Sequence, residues 1–201
     1  ANGVILITTK RADKGKFAVT YRGYVGWQSP VVYPDVVNAE EYMHLSRRAS
    51  ENDGAVSLYT DEYIANYRRN NYLDPDAYPI IDWQDQLMTG NGFTHNHTLS
   101  MSAGSERIRV MTSLGYLDQN GIIKNANFKR YNLRNNMDIR MNDRLNFRLD
   151  IAATYSRRAA NPYQSSVFGF MNSKDPLMLA QWSDGSYAPF TGGTVNPLPM
   201  I

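Results

Sequence analysis

Five stretches of this sequence alternate apolar and polar residues with a period of two, and no proline interrupts them. Proline cannot donate to a ladder and avoids central strands, so its positions sort sheet from connection. Pro30, Pro34, Pro75 and Pro79 fall in one segment; Pro162, Pro176, Pro189, Pro197 and Pro199 fall in another. The alternating runs lie before and between these segments. Phe17, Val19, Tyr21, Gly23, Val25 and Trp27 share one face. Leu99 and Met101 alternate with Thr98, Ser100 and Ser102. Ile108, Val110, Thr112, Leu114 and Tyr116 oppose Arg107, Arg109, Met111 and Ser113. Tyr131, Leu133, Met137, Ile139 and Met141 oppose Asn132, Arg134, Asn136, Asp138 and Arg140. Leu145, Phe147, Leu149, Ile151, Ala153 and Tyr155 oppose Asn146, Arg148, Asp150 and Thr154. The pattern predicts strands near residues 16–28, 94–103, 106–117, 128–141 and 144–158, with long loops at 29–93 and 159–201.

Each run approaches the 9–11 residues with which a tilted strand crosses a bilayer. The apolar faces end in Tyr, Trp or Phe, as an interfacial aromatic girdle does. Tight connections at 103–106 and 142–143 alternate with long ones, including a hairpin loop read from Asp118 to Asn127 around Asn120-Gly121. Short turns on one side and long loops on the other mark an outer-membrane barrel, the long side extracellular and the short side periplasmic. The expected fold is therefore all-β, part of a transmembrane antiparallel β-barrel. A soluble all-β module with one solvated face alternates in the same way. Strands longer than the usual ~5–6 residues, and a polar face crowded with Arg, weigh towards the barrel.

Composition narrows the chemistry. The 201 residues hold no Cys and three His, so thiolate zinc sites, disulfides and Cys nucleophiles are excluded. A net charge of +2 gives no case for nucleic acid. His95 and His97 share a strand face but lack the carboxylates of a metal site. Asp118-Gln119-Asn120-Gly121 opens like a calcium loop without its acidic partners, and reads as a turn. Asn96-His97-Thr98 is a formal glycosylation sequon inside an expected strand. The pairs Arg47-Arg48 and Arg157-Arg158 read as solvated or lipopolysaccharide-facing rather than as nucleic-acid readers. No catalytic constellation stands out, and no enzyme, cofactor or metal is expected.

The long loop has structure of its own. Asn38 to Glu41 fits a capping box, a second helix is expected after Thr60, and a third holds Trp83, Leu87 and Met88. Loops of this length are usually functional. Its aromatics Tyr59, Tyr63, Tyr67, Tyr72, Tyr78 and Trp83 could stack on sugar rings or contact a lid, or they could pack the loop on itself.

Five pieces in order resemble one family. Ala1-Asn2-Gly3-Val4-Ile5-Leu6-Ile7-Thr8-Thr9-Lys10 looks like the end of the plug domain in SusC/RagA-type TonB-dependent outer-membrane transporters. Asn38 to Tyr42, Asp82 to Asp85, Asn96 to Gly104 and Leu114 to Lys124 follow, and Tyr131 to Asp150 continues the pattern. The usual Gly-Gly turn is Ala103-Gly104 here. The resemblance implies a 22-stranded barrel, with residues 1–13 ending the plug and 14–201 opening the barrel in the bacterial outer membrane. It implies uptake of oligosaccharides or peptides with a SusD-type surface lipoprotein, powered by TonB through a segment absent here, so the chain reads as a piece of a longer protein. On that reading Arg22, Arg107, Arg109, Arg134, Asp138, Arg140, Arg148 and Asp150 face the plug or the lumen. There they seat the plug or line the substrate path. The alternative is a soluble carbohydrate-binding module.

Overall fold

A computed structural model describes residues 11–160, 164–189 and 196–200. The expected plug strand at residues 1–10 lies outside them. The described chain divides into two compact units, one formed mainly by the sheet and the other by residues 29–92, 121–126 and those beyond 159.

The first unit is a five-stranded meander of β1 (Phe17–Gln28), β2 (Gly92–Gly104), β3 (Ile108–Asn120), β4 (Asn127–Arg140) and β5 (Asn146–Ala159), in spatial order β1-β2-β3-β4-β5. From β2 to β5 every neighbouring pair is antiparallel. Contacts of Tyr21 with His97 and of Trp27 with Phe93 run β1 against β2 in the same sense. The register aligns like with like. Leu99, Leu114, Leu133 and Ala153 form one cross-strand row, and Ala103, Val110, Met137 and Leu149 another. A side-chain period of two makes any other odd register expose the wrong face, so these rows fix the pairing.

Turn chemistry ends the strands. Ser105 Oγ accepts from the Arg107 and Ile108 amides at 3.3 and 3.0 Å. Asn142 Oδ1 does the same for Arg144 and Leu145 at 2.9 and 2.8 Å. Gly104 is required by close approach: a Cβ there would stand 2.1 Å from the Asp13 carbonyl oxygen. The incoming chain is stitched at this point by Gly15 N–H to Gly104 O, 2.8 Å, and Gly104 N–H to Lys16 O, 3.2 Å.

The hairpin between β3 and β4 corrects the sequence reading. Asp118, Gln119 and Asn120 are strand residues paired with Lys129, Phe128 and Asn127, so the connection is residues 121–126 rather than 118–127. Side-chain bonds from Asn127 to Asp118 (3.1 Å) and Asn120 (2.7 Å) carry the ladder past the apolar rows.

The second unit holds the helices. In α1 (Ala39–Asn52) Asn38 Oδ1 accepts from the Glu40 and Glu41 amides, and Glu41 Oε2 accepts from the Asn38 amide, each at 3.0 Å, completing the capping box. Thr60 caps α2 (Asp61–Leu73), and Asp82 caps the single turn of α3 (Trp83–Leu87). Residues 159–201 are not all irregular as expected: α4 spans Gln164–Ser173. Trp83, Leu87, Met88, Ile123, Val167, Met171 and Ala180 form this unit's main buried cluster. Met43, Ile64 and Tyr67 form a second.

Candidate functional site

The two faces of the sheet differ in chemistry. On one, Leu114 and Ile151 are each 44% exposed, and Ile108, Leu133 and Phe147 are exposed with them, although all are large apolar side chains. These rows end in a line of rings. His97 lies 6.0 Å from Tyr21 and 6.5 Å from Tyr116, Tyr116 lies 5.0 Å from Tyr131, and Tyr131 lies 6.1 Å from Tyr155, centroid to centroid. The cause is register, which sets His97, Tyr116, Tyr131 and Tyr155 directly opposite one another. Below them a groove is lined by Leu99, Leu114, Leu133 and Ala153 among the rings. His95 continues past His97, its Nδ1 3.1 Å from His97 Nε2. Among the described residues no group of three or more His, Asp or Glu could hold a metal ion.

The opposite face gathers charge. Asp138 on β4 meets Arg148 Nε at 3.1 Å and Arg109 Nη2 at 3.8 Å, because Arg109, Asp138 and Arg148 are register partners on three adjacent strands. Arg11, ahead of β1, bonds Asp138 at 2.7 Å and Asp150 at 2.8 and 3.0 Å. One guanidinium thus joins carboxylates on β4 and β5, the geometry its planar fork favours. Of the eight charged residues expected on one face, the structure brings Arg109, Asp138, Arg148 and Asp150 together. Arg140 pairs with Asp143 in the turn at 2.7 Å. Arg22, Arg107 and Arg134 have no ion pair among the described residues. The sequence reading missed Arg11, since no local spacing links it to a carboxylate 127 residues away.

In the helical unit the loop aromatics divide. Tyr59, Tyr63, Tyr67 and Tyr78 form a chain of ring contacts at 6.0, 5.7 and 5.5 Å. Tyr67 is buried, and its hydroxyl donates to Pro79 O at 2.9 Å. Burial pushes that hydroxyl's pKa above the usual range. Trp83 is 3% exposed and donates Nε1–H to Asp175 O at 3.0 Å. Tyr67 and Trp83 therefore hold the unit together, whereas Tyr63 and Tyr72 keep open surface. Arg47 pairs with Asp61 between α1 and α2 and holds that carboxyl below the usual carboxylate range.

No family model matches the chain. It is 29% identical to TonB-dependent receptor P26 of Formosa agariphila over 94% of its length, and 33% identical to TonB-dependent receptor SusC of Bacteroides thetaiotaomicron over 65%. It spans 18% of the first relative and 11% of the second. Its fold superposes on the RagAB peptide importer in the closed-closed state with TM-score 0.62 at 18% identity, covering 94% of this chain and 24% of that one. For the RagAB peptide transporter the TM-score is 0.58 at 21% identity, over 77% of this chain and 19% of that one. In sequence the chain is similar to TonB-dependent receptors, SusC among them, and in fold it is similar to part of the RagAB importer.

Proposed function

We propose that the sheet is the opening part of a transmembrane β-barrel in the bacterial outer membrane, through which the full-length receptor imports oligosaccharides or peptides. One observation carries this reading: an exposed apolar face, bounded by aromatic rings, backs onto a face of paired charges. Water gives no reason to expose so many large apolar side chains on one continuous face. A bilayer does, and it demands that backbone groups be paired, as the ladders on both sides of β2, β3 and β4 do here. From Phe147 to Tyr155, eight steps of ~3.4 Å at a tilt of ~40° give about 21 Å, close to the ~25 Å apolar band of such barrels.

The charged face then turns to the lumen, and Arg11 with residues 12 and 13 closes the plug domain. The pairs from Arg11 to Asp138 and Asp150 support a seating role, in which charges at the barrel wall hold the end of the plug. Arg22, Arg107 and Arg134, which have no ion pair among the described residues, keep the lumen hydrated and meet substrate once the plug yields. Energy comes from TonB, and a SusD-type lipoprotein delivers the cargo to the loops, where Tyr63 and Tyr72 offer ring faces. No chemical step is involved. RagAB is a peptide importer, so a peptide cargo has a structural precedent; an oligosaccharide remains the other class.

Fractionation of cells producing the full-length receptor tests the reading. It is expected in the outer-membrane pellet, released by detergent alone. Release into aqueous buffer would overturn the barrel in favour of the soluble carbohydrate-binding module.

A further inference from the structure

We propose that Lys129 and Arg157 form a site for the phosphate of a lipid headgroup in the outer leaflet; the inference rests on the membrane reading above. Both side chains stand on the apolar face, one pleat beyond Tyr131 and Tyr155, and register sets them directly opposite each other. Like charges so placed destabilise a sheet unless an anion lies between them. The sheet supplies one acid nearby, Asp118 on β3, 3.0 Å from Lys129 Nζ. That carboxylate is already shared: it accepts from Tyr116 Oη at 2.9 Å and from Asn127 Nδ2 at 3.1 Å. Arg157 is exposed and has no ion pair among the described residues. The row therefore carries excess positive charge.

Depth and shape select the anion. Tyrosine rings mark the interface between acyl chains and headgroups. Two residues further along the strand is about 7 Å, which is headgroup depth. The groove under the rings, lined by Leu114, Leu133 and Ala153, is apolar and takes an acyl chain. Phosphate above and hydrocarbon below, on one face, describe a phosphorylated lipid rather than a free ion. The Arg fork grips two phosphate oxygens while the Lys ammonium adds a point charge.

The test uses the full-length receptor in detergent, with phosphorylated lipid A, its dephosphorylated form and inorganic phosphate as probes, read by native mass spectrometry. Phosphorylated lipid is expected to remain bound. Its affinity is expected to fall about fivefold in either K129A or R157A, and about thirtyfold in the double variant. Arg130→Ala, a cation on the opposite face, is the control and is expected to bind as the parent does. Equal retention by the double variant and the parent would overturn the site. Equal binding of dephosphorylated lipid, or displacement by millimolar inorganic phosphate, would do the same. A receptor found outside the membrane overturns the proposed function as well, whereas a membrane-embedded receptor whose variants keep the lipid overturns this inference alone.

Discussion

Ile151→Arg separates a lipid-facing sheet from a water-facing one. Ile151 lies midway along β5 between Phe147 and Tyr155, on the apolar face, and is 44% exposed. In water, a surface exchange at so open a position changes stability by about 0.5 kcal/mol or less. At the middle of a bilayer, Arg on the lipid face costs about 2–4 kcal/mol, or a factor of about 30 to 700 in the folding equilibrium. The comparison is Ala152→Arg, one residue on and facing the other way. There Arg134 is the register partner. Repulsion between two hydrated guanidiniums costs under about 1 kcal/mol. The assay is the folded fraction of the full-length receptor refolded into lipid vesicles, read by heat-modifiable gel migration over a urea series. Ile151→Arg is expected to shift the midpoint strongly to lower urea and Ala152→Arg to leave it nearly unchanged. Equal, small shifts for both would refute the assignment of faces.

Further expectations concern the parts that hold the sheet and the loop. Gly104→Val places carbon against the Asp13 carbonyl, so residues 13–16 must move off β2; a loss of about 1–3 kcal/mol and new protease cleavage near Lys14 are expected, and an unchanged digest would contradict the close approach. Trp83→Ala empties the centre of the larger buried cluster in the helical unit and is expected to cost about 3–5 kcal/mol, seen as lost hydrogen-exchange protection in α3 and α4. Because Arg47 depresses the Asp61 carboxyl, the pair stabilises α1 against α2 above the unfolded carboxylate value near pH 4 and fades as pH falls through the lower folded value. Exchange in α1 and α2 is expected to accelerate below pH 4 in the parent and to lose that pH step in Asp61→Asn.

Legibility in the sequence followed the apolar period. Where one face is hydrophobic, as from Leu145 to Tyr155, alternation gives strand, face and length together. Past the tyrosines that signal stops. Asp118, Gln119 and Asn120 are all polar and resemble a turn, yet side-chain bonds to Asn127 keep them in the ladder. The helix starts at Asn38 and after Thr60 were readable because a cap needs only its own neighbours, whereas the Asp82 cap of α3 was not read. In α4, Gly169 lies within the apolar run Val167 to Met171, whose adjacent phenylalanines blur the helical period, and only packing shows Val167 and Met171 buried one turn apart. The charged face was readable as a face but not as a network. Which arginine meets which carboxylate depends on strand register, and on Arg11, which is remote in sequence. The loop aromatics show the same limit: composition makes Trp83 and Tyr72 alike, and only packing buries one and leaves the other open.

A lipid-facing barrel wall requires that one side of β5 meet hydrocarbon and the other water. The chain contains no Cys, so single cysteines at residues 147 to 155 are unique labels within it. Each would carry a fluorophore in the full-length receptor, reconstituted in vesicles containing brominated acyl chains. Strong quenching is predicted at 147, 149, 151 and 153, with weak quenching at 148, 150, 152 and 154. Quenching without alternation, or strongest on the Arg148 and Asp150 face, would contradict it.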